Sequence, residues 1–486
     1  MDLVVVGLFW AFCGYLLIRR AILLAFAAAI ALVPFGSMAA IPAQFTGGLT
    51  ILPSPLVAMI AILLFLLSQP GRQFMADTAF SVRRMGLATV FLAIAAFSAV
   101  FYPRIFAGMV EVVPMRGDLG GYAGGWSRLV PTSQNISQLF YFSISTLLIF
   151  CFAFLMQFAR YQQVILKAVF VGGLISVTTG VLDYASQFVD LSALLAPFRT
   201  GTYSLLVGDD VLNTKRVVGL MPEASSFGPM CVGQGIVILL WKDAFQSARI
   251  RGACVVLAPL LFLFGFLSTS SSAYVALGAT AAVLGLRAAV LLFSRRQQAP
   301  KGFWSWKLMT IIGFAVLVAA YALNPAAFSH IEALVDRMVF GKTSTSSFDE
   351  RMAWNTVSLQ ALADTYGIGV GVGGTRASSW LVAVVSNLGI PGAVALFGFI
   401  AQAILSRKTY LGPVDAILCR GGAWALVPLL SSSALTGTSP NFGMTLALIL
   451  GIHAGCGLAR QAPAPGRPAS AARPTQWPAR SNFNQW

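Results

Sequence analysis

The residues from Phe348 to Gly392 read FDERMAWNTVSLQALADTYGIGVGVGGTRASSWLVAVVSNLGIPG. The stretch starts polar at Asp349, Glu350 and Arg351, and its spacing then predicts an amphipathic helix. A glycine-rich turn follows (Gly367, Gly369, Gly371, Gly373, Gly374) and leads to Arg376. Beyond Arg376 an almost uncharged apolar run extends to the next cationic pair, Arg407 and Lys408. Two arginines bracketing a tight turn beside an apolar run point to an anion site at a membrane surface. Arginine stays charged and presents a rigid fork of donors that matches phosphate. The GIGVGVGG run has no βαβ context and is no dinucleotide fingerprint; it predicts a turn where backbone comes close to other chain or to a ligand.

Outward from this stretch the same apolar character recurs along nearly the whole chain of 486 residues, which is 57% hydrophobic and 10% charged. Runs long enough to cross a hydrocarbon core of roughly 30 Å appear again and again, so the chain is no soluble globular protein. In lipid the backbone must satisfy its own hydrogen bonds, which makes these runs helices. They lack the alternation of a β-barrel. The expectation is an all-α polytopic membrane protein with about 12–13 transmembrane helices. The expected helices are at about 2–18, 21–40, 50–68, 86–102, 139–158, 163–182, 228–241, 252–268, 274–293, 308–323, 377–404, 413–435 and 441–459.

The net charge of +16 does not mark a nucleic-acid binder, because the basic residues fall between apolar runs rather than along one face. Most of the 32 Lys and Arg lie in segments that alternate with three longer loops, at about 103–138, 183–227 and 324–375. The positive-inside rule makes the basic segments cytoplasmic, 69–85 among them, and places all three loops on the extracytoplasmic side. The membrane domain then spans 1–460, and the Pro-, Ala-, Arg- and Ser-rich stretch 461–486 is expected to be a disordered cytoplasmic tail. The six cysteines show no paired spacing and read as core thiols, and His330 and His453 make no zinc constellation.

The second loop ends in Arg216 and, seven residues later, Glu223, within Met221-Pro222-Glu223-Ala224-Ser225-Ser226-Phe227. Pro222 sits at a helix start, where a carboxylate in the first turn is favoured. The structural reading is a capping acid beside a juxtamembrane basic pair. The functional one places Arg216 at the rim of a membrane cavity as a phosphate ligand, with Glu223 as general base. Arg351 is either an ordinary loop residue paired with Asp349 or Glu350, or a ligand of the same anion. Arg376 is harder to explain structurally, since cations are less common on the outer face.

Arg351-x-x-Trp354, the Gly369-x-Gly371-x-Gly373 turn, the Ser386-Asn387-Leu388-Gly389-Ile390-Pro391-Gly392 segment and the Pro-Glu segment at Pro222 together resemble the O-antigen ligase and O-antigen polymerase family. The exopolysaccharide polymerases of that family are the nearest in flavour. The resemblance implies a fold of the GT-C glycosyltransferase class and an undecaprenyl-diphosphate-linked glycan as donor. It also implies metal-independent transfer, without a cofactor, that inverts the anomeric carbon. By position, Arg351 and Arg376 would hold the diphosphate, with Arg216 as a third ligand. Ligases of the family carry a histidine where this chain has Arg376-Ala377-Ser378-Ser379, which favours polymerase over ligase. Many relatives also have an arginine in the turn that here reads Thr269-Ser270-Ser271-Ser272. The expected partners are the lipid-linked glycan, membrane lipid and a chain-length regulator protein, with no nucleic acid. The location that follows is a bacterial inner membrane, with the site on its outer face. The rival readings are a ligase and a flippase or exporter with no chemistry.

Overall fold

The computed structural model describes residues 3–115, 125–201, 210–211, 214–293, 346–408, 410 and 412–458. Fifteen helices are described, taken in chain order. They are α1 (Leu3–Ile18), α2 (Ile22–Ala31), α3 (Pro53–Leu67), α4 (Gln69–Ala79), α5 (Gly86–Ile105), α6 (Ser133–Leu155), α7 (Ala159–Ala185) and the short α8 (Ser192–Leu195). The rest are α9 (Ala224–Trp241), α10 (Ala248–Leu267), α11 (Ser271–Phe293), α12 (Ser346–Asp364), α13 (Trp380–Leu405), α14 (Pro413–Thr436) and α15 (Gly443–Leu458). Among the described residues eight helices, α5–α7, α9–α11, α13 and α14, are long and apolar enough to cross a membrane. The protein is therefore an all-α polytopic membrane protein in these residues. The bent pair α3–α4 makes a ninth candidate, and α1, α2 and α15 are shorter apolar helices. The helix expected at 308–323 and the tail 461–486 lie outside the described residues, as does most of the third loop.

Helix α7 provides a ruler for the bundle. Near its start, Gln162 donates to the Asp415 carboxylate at 2.7 Å. Near its end, Asp183 accepts from the backbone N–H of Val218 at 2.7 Å and of Gly219 at 3.1 Å. At 1.5 Å of rise per residue the two sites are about 30 Å apart, the thickness of a hydrocarbon core. Each of these ends of α7 carries further polar contacts. At the Gln162 end, Gln163 donates to the Ala244 carbonyl at 2.8 Å and the Trp241 indole to the Leu418 carbonyl at 3.0 Å. The Asp183 end faces the loops.

Two of those loops are anchored. The second loop is tied to the link after α2: Ser37 donates its N–H to Leu220 and accepts from Gly201, both at 2.8 Å. The first loop forms a two-residue hairpin, β1 (Glu111–Val112) paired antiparallel with β2 (Ser127–Arg128). It packs on α12 and the glycine turn through Val110, Val112, Leu129, Ala361 and Val370, a small apolar core apart from that of the bundle. The first loop thus meets the described part of the third loop, and the second is tied to the link after α2.

Two local features depart from the expected pattern. The segment expected as a loop at 69–85 begins with helix α4, set at 90° to α3. Ser68 starts it as N-cap, accepting from the Gly71 N–H at 3.1 Å, and Pro70 occupies the first turn where its missing donor costs nothing. Helix α13 is broken inside its span, where Gly389 takes φ +67 just ahead of Pro391.

Candidate active site at the glycine turn

The turn between α12 and α13 is built by backbone contact. Val370 donates to the Ser386 carbonyl at 2.9 Å and Gly371 to that of Asn387 at 3.0 Å. The Asn387 side chain accepts from the Gly373 N–H at 2.9 Å and donates to the Thr375 carbonyl at 3.1 Å. From the neighbouring helix, the amide of Asn135 donates to the Val372 carbonyl at 2.9 Å. At Gly373, φ is +77 and a Cβ would lie 2.6 Å from the Gln134 carbonyl oxygen. Only glycine combines that left-handed backbone with so close an approach. The close approach expected of this run is thus to the chain's own backbone, on α6 and α13.

The rigid turn delivers Arg376. Its N–H donates to the Val113 carbonyl at 2.8 Å, and its carbonyl accepts from the Ser358 hydroxyl at 3.0 Å. Ser378 donates to the Asn355 side chain at 2.8 Å. With its backbone pinned by the first loop and by α12, Arg376 lays its guanidinium over the Trp354 ring, 3.9 Å from Cζ to the ring centroid. Trp354, named from sequence as part of Arg351-x-x-Trp354, is the platform for the arginine, and the Arg376 side chain is half-buried.

Burial draws the Arg376 guanidinium below its ordinary range; Glu223 and Glu350 oppose the shift, and Arg351 adds to it. Those effects fix who its neighbours are. Glu223 comes from the start of α9, Glu350 and Arg351 from the first turns of α12, and Arg376 from the turn. Two of the residues singled out from sequence, Glu223 and Arg351, therefore each come within electrostatic reach of a third, Arg376, from separate segments. Arginine retains its proton under such a shift.

Glu223 is the N-cap residue of α9 rather than a member of its first turn, with extended φ −155 and ψ 160. The Ser225 hydroxyl donates to its carboxylate. The half-buried Arg216 points to a different neighbourhood, the turn joining α10 to α11, with Nη2 3.5 Å from the Thr269 carbonyl and the Tyr274 ring within its field. Thr269 holds φ +47, a strained backbone for a β-branched residue. The hydroxyls of Thr269, Ser271 and Tyr274 are buried there without a hydrogen-bond partner among the described residues. In this chain the 269–272 turn thus offers hydroxyls, and Arg216 brings the cation to it from the second loop.

Sequence reasoning missed the part that holds Arg216 and Glu223 in place. Arg199 and the fully buried Asp183 form an ion pair at 2.7 Å, and Arg199 also donates to the Gly219 carbonyl at 2.8 Å. With its two backbone N–H bonds, the Asp183 carboxylate clamps Val218 and Gly219, midway between Arg216 and Glu223. The available signal was an acid at the end of an apolar helix, a rare placement that calls for a named partner. His453, by contrast, is buried deep in α15 and takes no part in the loop cluster. Compared with known proteins, the chain matches no family model, and no curated protein matches it in sequence.

Proposed function

We propose that this chain is a membrane glycosyltransferase that joins lipid-diphosphate-linked oligosaccharide repeats into a polysaccharide, with its reaction site at the loop-bearing end of the bundle. The observation that carries this reading is the placement of Arg376. A guanidinium held on an indole face, half-buried, beside a second guanidinium and two carboxylates is arranged to meet an anion rather than to stabilise the fold.

The proposed chemistry follows from those groups. A hydroxyl of the acceptor sugar attacks the anomeric carbon of the donor, and the bond from that carbon to the diphosphate oxygen breaks. Glu223 takes the hydroxyl proton, since an arginine does not readily act as a base. Negative charge grows on the departing lipid diphosphate, and Arg351 and Arg376 stabilise it from fixed positions. Arg216, expected from sequence as a third ligand, is directed instead to the 269–274 turn, so this step is assigned to Arg351 and Arg376 alone. The resemblance to O-antigen polymerases names undecaprenyl diphosphate as the lipid and the outer face of a bacterial inner membrane as the location. The GT-C relationship belongs to the same proposal.

The test uses purified full-length protein with lipid-linked repeat units. Chain growth with release of lipid diphosphate supports the proposal. Movement of the repeat across a bilayer without new bonds replaces it with a transporter.

A further inference from the structure

A cavity of about 300 Å³ opens where α5 ends and α6 begins, lined by Ala99, Arg104, Pro131, Thr132, Ser133 and Asn135 together with Ile136. It is at the lower end of the size range of small-molecule sites. One charged side chain lines it, Arg104, an exposed cation in the last turn of α5, and no lining residue is acidic. Arg104 donates one of its five N–H groups to the Val100 carbonyl, which fixes the arm on the helix surface. The opposite wall is rigid, because the buried Asn135 accepts from the Thr132 N–H at 2.9 Å while donating to Val372.

An apolar track continues from this polar seat. Phe97 (53% exposed) and Phe101 (46% exposed) lie on α5, a candidate span, with ring centroids 4.5 Å apart and planes tilted by 32°. Ile136 (59% exposed), in the first turn of α6, adds an exposed apolar side chain to the cavity lining. On a span, exposure of this kind means contact with hydrocarbon. A cationic, hydroxyl-bearing seat joined to an apolar rail matches an amphiphile whose head is anionic and whose tail runs along the helix.

We propose that this cavity binds the phosphate-bearing anionic headgroup of a membrane lipid, with an acyl or prenyl chain lying against Phe97 and Phe101. Arg104 and the Thr132 and Ser133 hydroxyls hold the phosphate. The site is separate from Arg351 and Arg376 and does not depend on the proposed transfer reaction. It shares a wall with the glycine turn, since the same Asn135 that borders the cavity holds Val372, four residues before Arg376.

The experiment measures lipid retention on the full-length protein by native mass spectrometry, offering phosphatidylglycerol, phosphatidylcholine, undecaprenyl phosphate and inorganic phosphate in separate arms. The wild-type protein is expected to retain phosphatidylglycerol or undecaprenyl phosphate at least fivefold over phosphatidylcholine, and the arm with the stronger retention identifies the lipid. Arg104→Gln should erase that preference. Should Arg104→Gln not be recovered folded, Ile136→Trp, which fills the cavity without changing charge, should lower anionic-lipid retention by a similar factor. Equal retention of the charged and zwitterionic lipids overturns the proposal. So does unchanged preference in either variant, and so does displacement of the bound lipid by inorganic phosphate at equal concentration, which would leave the apolar rail without a role. None of these readings requires glycosyl transfer, so the two proposals fail separately.

Discussion

The guanidinium of Arg376 rests 3.9 Å from the ring centroid of Trp354, although the two residues stand on opposite sides of the glycine turn. Trp354 is on α12 and Arg376 follows the turn, so the stacking locks the turn's geometry into the orientation of the cation. A cation over an indole face contributes from about 0.5 to 2 kcal/mol, more as water is excluded. Trp354→Ala is therefore expected to lower the rate of glycan transfer about tenfold through misplacement of Arg376, with Trp354→Phe retaining much of it. Steady-state rates on lipid-linked donor check this; equal rates for Trp354→Ala and wild type would remove the platform role.

Arg351 and Arg376 raise each other's cost by repulsion, and a shared anion relieves it. Removing a fixed donor from a developing negative charge costs on the order of 100-fold to 1000-fold in rate. Arg351→Ala is expected to lose at least about 100-fold in polymer formation while still inserting in the membrane. Polymer length on gels, with membrane insertion measured in parallel, reads the outcome.

The ion pair between Arg199 and Asp183, with side chains 16% and 0% exposed, is closed off from solvent. Taking away one partner of such a pair leaves a buried charge and costs about 3–5 kcal/mol. Asp183→Ala is expected to lower the melting temperature of the detergent-solubilised protein clearly. Asp183→Asn should lower it less, because the amide oxygen still accepts from Val218 or Gly219. A melting curve for Asp183→Ala that overlays wild type would show that the 199–219 segment is held by other contacts.

Gly373 combines φ +77 with a Cβ position 2.6 Å from the Gln134 carbonyl oxygen. Gly373→Ala must shift backbone on α6 or in the turn, at a cost of about 1–3 kcal/mol for the backbone strain alone. Its effect should appear as reduced stability together with reduced transfer. Gly252→Ala, where nothing lies within 4 Å of the added carbon, is the matched control.

Much of this arrangement was legible in the chain itself. Long apolar runs with almost no charge have one solution in lipid, and helices α5–α7, α9–α11 and α13–α15 fall close to where those runs lie. The Arg/Lys asymmetry grouped three loops on one face; the Arg376 N–H bond to Val113 joins the first loop to the glycine turn, and Glu223 at the end of the second acts on Arg376 electrostatically. The 90° turn after Leu67 was missed because the apolar signal simply stops there; the capping signal, Ser68 followed by Pro70, was present but short. The role of Trp354 was not legible, because a tryptophan near a membrane has an ordinary explanation as an interface anchor, and only the three-dimensional register of α12 against residue 376 makes it a platform for Arg376. The Arg199–Asp183 pair is sixteen residues apart across a loop with no period to read. Hydrogen bonds of that kind are decided by loop geometry, which sequence pattern does not encode.

The most direct test of the account is release of lipid diphosphate from a lipid-linked repeat by purified wild-type protein, Arg376→Ala and Glu223→Gln, all shown to be equally folded. Release coupled to chain growth is expected in the wild type, near-complete loss of both in Arg376→Ala, and slow transfer with donor binding retained in Glu223→Gln. Full turnover in Arg376→Ala, or no diphosphate release from the wild-type protein, would contradict it.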